Sequence, residues 1–172
     1  MTNSCGCKTT TTIENESLCP KCRQQGVVVG LVTLNAQIKN EFKAFIGDKE
    51  HFFCTSKVCE VVYYKSNGEL LTKDKIKSLI TLKDEEPQTP LCYCFKVLKG
   101  DVLAELATNG SSDVIKRIEE KMKGKECFCE KANPKGRCCT EDIKIWLAQQ
   151  GVSSTSQSSC CSSNDGKNSC CH

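Results

Sequence analysis

The residues most able to do chemistry in this chain are cysteines set at close spacing. Cys92 and Cys94 are separated by one residue, and after thirty-two intervening residues comes a dense group: Cys127, Cys129, Cys138 and Cys139. Two tight groups of thiolates, separated by enough chain to form a pair of helices, can close around an iron–sulfur cluster or a metal ion. This spacing therefore points to a metal-binding protein.

A second set of cysteines lies nearer the N-terminus. Cys19 and Cys22 form a Cys-x-x-Cys knuckle, and Cys54 and Cys59 flank a four-residue turn between two strand-like runs. Together they predict a tetrahedral Cys₄ site, the closed geometry of structural zinc. A Cys-x-x-Cys pair can also be a redox dithiol or carry no ligand, but the βαβ context of a redox pair is not visible. His51 is interpreted as a surface or packing residue.

The cysteine content raises the alternative of a disulfide scaffold, because sixteen cysteines in 172 residues would suit a small secreted protein. The first residues show neither the apolar segment nor the cleavage site of a secretory signal, and no run approaches about eighteen consecutive apolar residues. We therefore expect a cytoplasmic protein without membrane insertion, whose clustered thiols bind metal in a reducing compartment.

The formal net charge is only +3, and the lysines are interleaved with acidic residues rather than gathered in a block. A nucleic-acid partner is therefore not expected. The apolar fraction of 38% supports a modest core, which suggests that bound metal helps to hold the fold together.

Composition divides the chain into five segments. They are a flexible cysteine-containing head (1–17), a zinc-binding module (18–82), a charged linker with two prolines (83–90), a helical cluster-binding module (91–151) and a disordered cysteine-rich tail (152–172). In the first module, strand-like runs at 27–32, 51–54 and 60–64 predict a small sheet with short helical pieces.

Three helices are predicted in the second module. The first carries Leu98, Val102, Leu103 and Leu106 on one face and stops at Asn109-Gly110. Ser111 or Ser112 caps the second helix, which ends at Gly124, and Thr140 caps the third, which carries Trp146 and ends before Gly151. The first two helices then form a pair that brings the two cysteine loops together at one end.

The residues that carry these signals resemble a known family. Cys92-Tyr-Cys94-Phe, Cys129-Glu-Lys-Ala-Asn-Pro-Lys-Gly-Arg-Cys138-Cys139 and the upstream Phe53-Cys54 with Cys59-Glu-Val-Val-Tyr-Tyr64 resemble the N-terminal metal domain of CopZ-type copper chaperones over about residues 18–151. The second half also looks like the small [2Fe–2S] domain of bacterioferritin-associated ferredoxin. The resemblance implies an α+β fold, with a β-rich zinc module followed by a helical [2Fe–2S] module.

The resemblance also implies two ligand sets. It assigns zinc to the four cysteines of the first module: Cys19, Cys22, Cys54 and Cys59. The cluster falls on two cysteines before the helices and two after them: Cys92, Cys94, Cys129 and Cys139. Cys127 and Cys138 remain alternatives, since Cys127 lies thirty-three positions after Cys94 and Cys138 is adjacent to Cys139.

The sequence also departs from the family pattern. Full-length members append a copper-carrying βαββαβ domain with a Met-x-Cys-x-x-Cys loop, and neither the loop nor the domain is found in this sequence. Soft thiolates stand instead in the tail, at Cys160, Cys161, Cys170 and Cys171 beside His172, and in the head, at Cys5 and Cys7. Such thiolates suit Cu(I) or another soft metal, although a serine-rich tail whose cysteines do little is the alternative.

Two functions follow from these patterns. The first is a metal-handling protein, a copper or other soft-metal chaperone or redox accessory that works with a metal transporter or a redox partner. The alternative is a ferredoxin-like electron-transfer protein that has no role in carrying metal ions to a partner. An enzyme is not expected, because the sequence has no Rossmann fingerprint, P-loop or nucleophile–histidine arrangement.

Overall fold

The computed structural model describes residues 17–124 and 127–151. The predicted tail and all but the last residue of the predicted head therefore lie outside the described residues, as do their cysteines. The first module contains β1 (Val27–Val28), α1 (Leu31–Gln37), β2 (His51–Phe53), β3 (Val61–Lys65) and β4 (Leu70–Thr72), with 3₁₀ turns at Asn40–Phe45 and Lys73–Lys75. The second contains β5 (Pro90–Cys92), β6 (Val97–Leu98), α2 (Lys99–Asn109), α3 (Val114–Met122), α4 (Cys129–Ala132) and α5 (Thr140–Gln149). The mixed helix and sheet class is confirmed.

The first module is built on an antiparallel sheet in the order β1-β2-β3-β4. Every residue of β3 is buried, because side chains cover both of its faces. Phe53 pairs with Tyr63 and faces the main apolar core, whereas Phe52 pairs with Tyr64 and packs with the cysteines of the predicted zinc site. The alternation of a β-strand thus separates an apolar face from a thiol-bearing face.

One predicted strand is wrong over most of its length. The run 27–32 reads as a continuous strand from its valines, but β1 has two residues and α1 starts at Leu31. Gly30 interrupts the run, and the residues that become buried beyond it, Thr33, Leu34 and Gln37, follow the spacing of a helix. Tertiary burial has therefore overridden the β-propensity of Val32.

The three main helices of the second module lie where the sequence predicts them, with differences at their starts. Gly110 ends α2 in the left-handed conformation, with φ of 70°, as the Asn-Gly stop predicts. Leu103 is partly exposed instead of lying on the buried face. The residue directly before α3 is Asp113, not a serine, and the residue directly before α5 is Cys139, not Thr140. Within the described ranges no helix has the length and apolar character needed to cross a bilayer.

Residues 83–90 form a packed connection between the modules. The buried ammonium of Lys83 donates to the carbonyl oxygens of Ser56 at 2.5 Å and Cys59 at 2.9 Å. The buried ammonium of Lys99 reaches back to the Asp84 carbonyl oxygen at 2.7 Å. Buried charges need such partners, because an unsatisfied ammonium in the interior is costly. The charged composition of this segment therefore serves internal contacts.

The first module also holds the segment that follows the start of α4. Thr33 Oγ1 donates to the Glu130 carbonyl oxygen, and Gln37 Nε2 donates to those of residues 131 and 132 at 3.0 and 2.9 Å. Tyr63 Oη donates to the Pro134 carbonyl oxygen at 2.6 Å. Gly136, at φ of 69°, approaches so closely that a Cβ would lie 2.7 Å from Thr33 Oγ1. The loop that bears Cys129 is therefore docked on the first module.

Candidate metal centres

Four cysteines of the first module converge on one point. Their ligand atoms all lie within 4.8 Å of one another, and the set is Cys19, Cys22, Cys54 and Cys59. Cys19 Sγ lies 4.0 Å from Cys59 Sγ, and Cys22 Sγ lies 3.6 Å from Cys54 Sγ. A zinc–thiolate bond of about 2.3 Å places tetrahedral sulfur atoms about 3.8 Å apart. The thiols therefore have both the donor chemistry and the spacing that zinc requires.

Local structure explains why these thiols meet. A tight turn closes Cys19 to Cys22, with Arg23 in the left-handed region at φ of 60°. Cys54 directly follows β2 and Cys59 stands two residues before β3. Gly26 is required for close approach, because a Cβ there would lie 2.9 Å from the backbone oxygen of Phe53. Two hairpin-like turns thus present two thiols each.

The protonation of these thiols is uneven. Burial raises the pKa of Cys54 and of Cys59, although the positive charge of Lys83 favours the thiolate form of Cys54. Burial also acts against ionisation of Cys22, but hydrogen bonds from the backbone of Gln24 and from neighbouring thiols lower the pKa of Cys22 to about 7. Cys22 is also the most exposed member of the set, so an arriving ion meets a thiolate there first.

A second group of thiols lies in the second module. Cys94 Sγ is 3.4 Å from Cys129 Sγ and 4.0 Å from Cys127 Sγ, while Cys127 and Cys129 are 3.2 Å apart. The backbone N–H of Phe128 donates to Cys94 Sγ at 3.3 Å, which favours a negatively charged sulfur. Burial raises the pKa of Cys94 and of Cys129.

The remaining thiols of this module form a buried pair. The hydrogen bond with Cys139 lowers the pKa of Cys92 to about 6 against the effect of burial, and raises that of Cys139. The backbone of Phe95 also donates to Cys92. Cys138, in contrast, is exposed, and its Sγ contacts Thr140 Oγ1 at 3.2 Å.

The structure places the cysteines predicted as cluster ligands in one apolar core, but the thiols of this module that lie close enough to share one metal ion are Cys94, Cys127 and Cys129. Cys92, Cys129 and Cys139 share one buried cluster, against which Cys94 packs. Thiolates are the usual ligands of [2Fe–2S] clusters, so the donor set has the right chemistry for one. Of the neighbouring aromatic residues, Phe95 packs against this core whereas Phe128 is largely exposed.

The sequence gives no indication of several residues that shape the second group. Thr33, Gln37 and Tyr63 hold the loop of Cys129 from 71 to 97 positions away in the chain. Ordinary polar residues at that separation have no recognisable spacing. The buried role of Lys83 is likewise hidden in a charged segment.

Two groups of cysteines, one on a small sheet and one in a helical module, define a metal-binding protein. Residues 16–77 match the zinc-binding domain family of CopZ. The copper chaperone CopZ of Archaeoglobus fulgidus is 34% identical over 122 residues, which are 70% of this chain and 57% of that protein. The crystal structure of the N-terminal domain of that CopZ matches with a TM-score of 0.62 at 29% identity, over 79% of this chain and 98% of the domain.

The chain therefore belongs to the CopZ-type family through its N-terminal zinc-binding domain. It spans a little over half the length of the curated relative, and that length corresponds to the N-terminal domain. The predicted family is thus confirmed. The predicted likeness of the second module to bacterioferritin-associated ferredoxin stays a prediction.

Proposed function

We propose that this protein is a non-catalytic metal-handling protein with one structural zinc ion and one [2Fe–2S] cluster. The observation that carries the proposal is the separation of its thiols into two groups of at least four cysteines, one in each of the modules that residues 83–90 connect. Each group has enough thiolates for a complete ligand set.

The zinc ion would be held by Cys19, Cys22, Cys54 and Cys59. A closed Cys₄ site leaves no position for chemistry, so its contribution is to fold the first module. Cys54 directly follows the end of β2, and Cys59 stands just before the start of β3. Binding of both thiolates to one zinc ion would therefore fix the turn between these strands. Tyr63, which holds the loop of the second group, lies on β3.

The cluster would be held by Cys92, Cys94, Cys129 and Cys139, in a module of the bacterioferritin-associated ferredoxin type. When bound, such a cluster supplies one-electron chemistry. The chain buries Cys92 and Cys139 from water, and the Phe128 backbone N–H donates to the sulfur of Cys94. Burial and hydrogen bonds to sulfur are the means by which a protein sets the reduction potential of a cluster.

The cargo is proposed to be Cu(I) or another soft metal. The named relative is a copper chaperone, and soft thiolates select such ions. The cysteines Cys160, Cys161, Cys170 and Cys171 would hold the cargo in the tail, outside the described residues. A metal transporter or a redox protein would be the partner that receives metal or electrons.

Metal analysis of the anaerobically purified chain tests the cofactor content. We expect about two iron atoms and one zinc ion per chain, and a preparation reconstituted with iron and sulfide that retains no iron would overturn the cluster assignment. Cu(I) titration of the full chain and of a chain ending at Gly151 tests the cargo. Equal stoichiometry and affinity would remove the tail from metal carriage and favour electron transfer alone.

A further inference from the structure

Five cysteines gather in the second module, and they divide into two kinds. Cys92 and Cys139 are a buried pair, each with about 1% of its surface exposed. Cys94, Cys127 and Cys129 form a surface trio, in which Cys127 is exposed and Cys94 half-buried. Cys129 is buried in the same apolar core as the pair, and Cys94 packs against that core, so Cys127 is the member of the trio that faces solvent.

The trio has the geometry of a three-coordinate thiolate site. Its sulfur atoms are 3.2, 3.4 and 4.0 Å apart, and all three ligand atoms lie within 4.8 Å of one another. Metal–thiolate bonds of about 2.3 Å span sulfur separations of about 4 Å or less. Zinc in a structural site requires a fourth ligand, whereas soft thiolate sets select Cu(I).

We propose that Cys94, Cys127 and Cys129 bind one Cu(I) ion when the cluster is absent. The inference rests on the proposed function in one respect, which is that Cys94 and Cys129 also bind the cluster. Because the two ligand sets share these cysteines, the cluster and Cu(I) cannot be bound at the same time. Cys127 is then the ligand that belongs to Cu(I) alone, and Cys92 and Cys139 belong to the cluster alone. Binding to three thiols releases up to three protons to the buffer and changes no oxidation state.

Exposure of the trio has a consequence for transfer. A three-coordinate ion on the surface leaves a side from which a thiol of another protein can approach, whereas the four-cysteine site of the first module is nearly closed. Cys127 is the most accessible ligand, so the bond to Cys127 is the one that an incoming thiol replaces first. The trio is therefore a site for exchange of Cu(I), not for its permanent storage.

The test uses the full-length chain with zinc bound and the cluster removed. In every protein compared, six cysteines outside residues 17–151 are replaced by serine: Cys5, Cys7, Cys160, Cys161, Cys170 and Cys171. Cu(I) is titrated against a chromophoric Cu(I) chelator under anaerobic conditions, and zinc is measured in the same samples. We expect one Cu(I) bound with zinc retained.

Two substitutions separate the occupants. Cys127→Ser should weaken Cu(I) binding by at least roughly tenfold, the lower end of what even an outer-shell change costs a metal site, and should still accept a reconstituted cluster. Cys92→Ser should prevent cluster assembly and leave Cu(I) affinity unchanged. Cys138→Ser is the matched control, since Cys138 is exposed and lies outside the trio, and it should alter neither.

Unchanged Cu(I) affinity in Cys127→Ser would overturn the inference, as would an equal loss in Cys92→Ser. Copper bound with stoichiometric loss of zinc would place the ion in the first module and overturn it too. If no variant accepts a cluster but Cys127→Ser alone loses Cu(I), the cluster assignment fails and the trio stands.

Discussion

Removal of one hydroxyl group, in Tyr63→Phe, should loosen the loop that bears Cys129. The side chain is fully buried, and its Oη donates to the carbonyl oxygen of Pro134, itself buried, at 2.6 Å. Phenylalanine keeps the ring and leaves this acceptor without its donor. A buried group left unsatisfied costs about 1 to 3 kcal/mol, so we expect the free energy of unfolding to fall by that amount.

A matched control lies next to it in the same strand. Tyr64 is equally buried, but its hydroxyl donates to the carbonyl oxygen of Ser17, not to the loop of Cys129. Tyr64→Phe should therefore lower stability by less than Tyr63→Phe, because the backbone N–H of Gly26 still donates to the Ser17 oxygen, and should leave the loop unchanged. Amide hydrogen exchange of residues 129–137 is the readout that distinguishes the two variants.

Both variants are compared with the unaltered chain by urea unfolding at one fixed zinc concentration, and by hydrogen exchange in the absence of urea. Tyr63→Phe should speed exchange in 129–137 and accelerate loss of iron from the reconstituted protein. If exchange in this loop is the same in both variants, the hydrogen bond does not position the loop and the reasoning is refuted.

Three further results are expected. Removal of zinc by a chelator should unfold the first module and increase hydrogen exchange in 129–137 as well. The reason is that the unfolded chain lacks the metal site, so the free energy of metal binding contributes to the stability of the fold. An unchanged circular dichroism spectrum would contradict this prediction. Gly136→Ala should lower the urea midpoint more than Gly110→Ala. Both glycines have positive φ, so an alanine at either position costs about 1 to 2 kcal/mol in backbone strain, but only the alanine at 136 places a Cβ against Thr33. Burial, together with the charge of Lys65, lowers the pKa of His51 below its ordinary value of 6.5. As the pH falls, the unfolded chain therefore binds a proton at His51 before the folded chain does, and the free energy of unfolding should decrease below about pH 6.5. The difference in stability between His51→Phe and the unaltered chain, measured at each pH, should show this loss, and a constant difference would argue against it.

The spacing of residues predicts those features that depend on neighbours in the chain. Asn109-Gly110 ends α2 as expected, because a left-handed residue is a local requirement that glycine meets at little cost. The Cys-x-x-Cys turn and the cysteines around the β2–β3 turn come together because each turn is short. These local signals were sufficient to predict that the four cysteines of the first module meet, and to predict the three main helices of the second.

Features that depend on packing were not predictable in this way. The strand expected at 27–32 gives way to α1 because burial of Leu34 in the core of the first module and of Gln37 against the second module outweighs the propensity of the valines. The buried ammonium of Lys83 is satisfied by carbonyl groups that come near only after folding. Membership of Cys127 in the surface trio likewise depends on its distance from Cys94, which spacing alone leaves open.

The hydrogen bonds that dock residues 130–134 have a common direction. Their donors are the side chains of Thr33, Gln37 and Tyr63, and every acceptor is a backbone carbonyl oxygen. Because any amino acid offers that oxygen, substitutions in the docked loop leave these contacts in place, whereas substitution of a donor removes one. Homologues are therefore expected to vary more at residues 130–132, which contribute only backbone oxygens to these hydrogen bonds, than at the three donor positions, so that mutational tolerance is divided unequally across one interface.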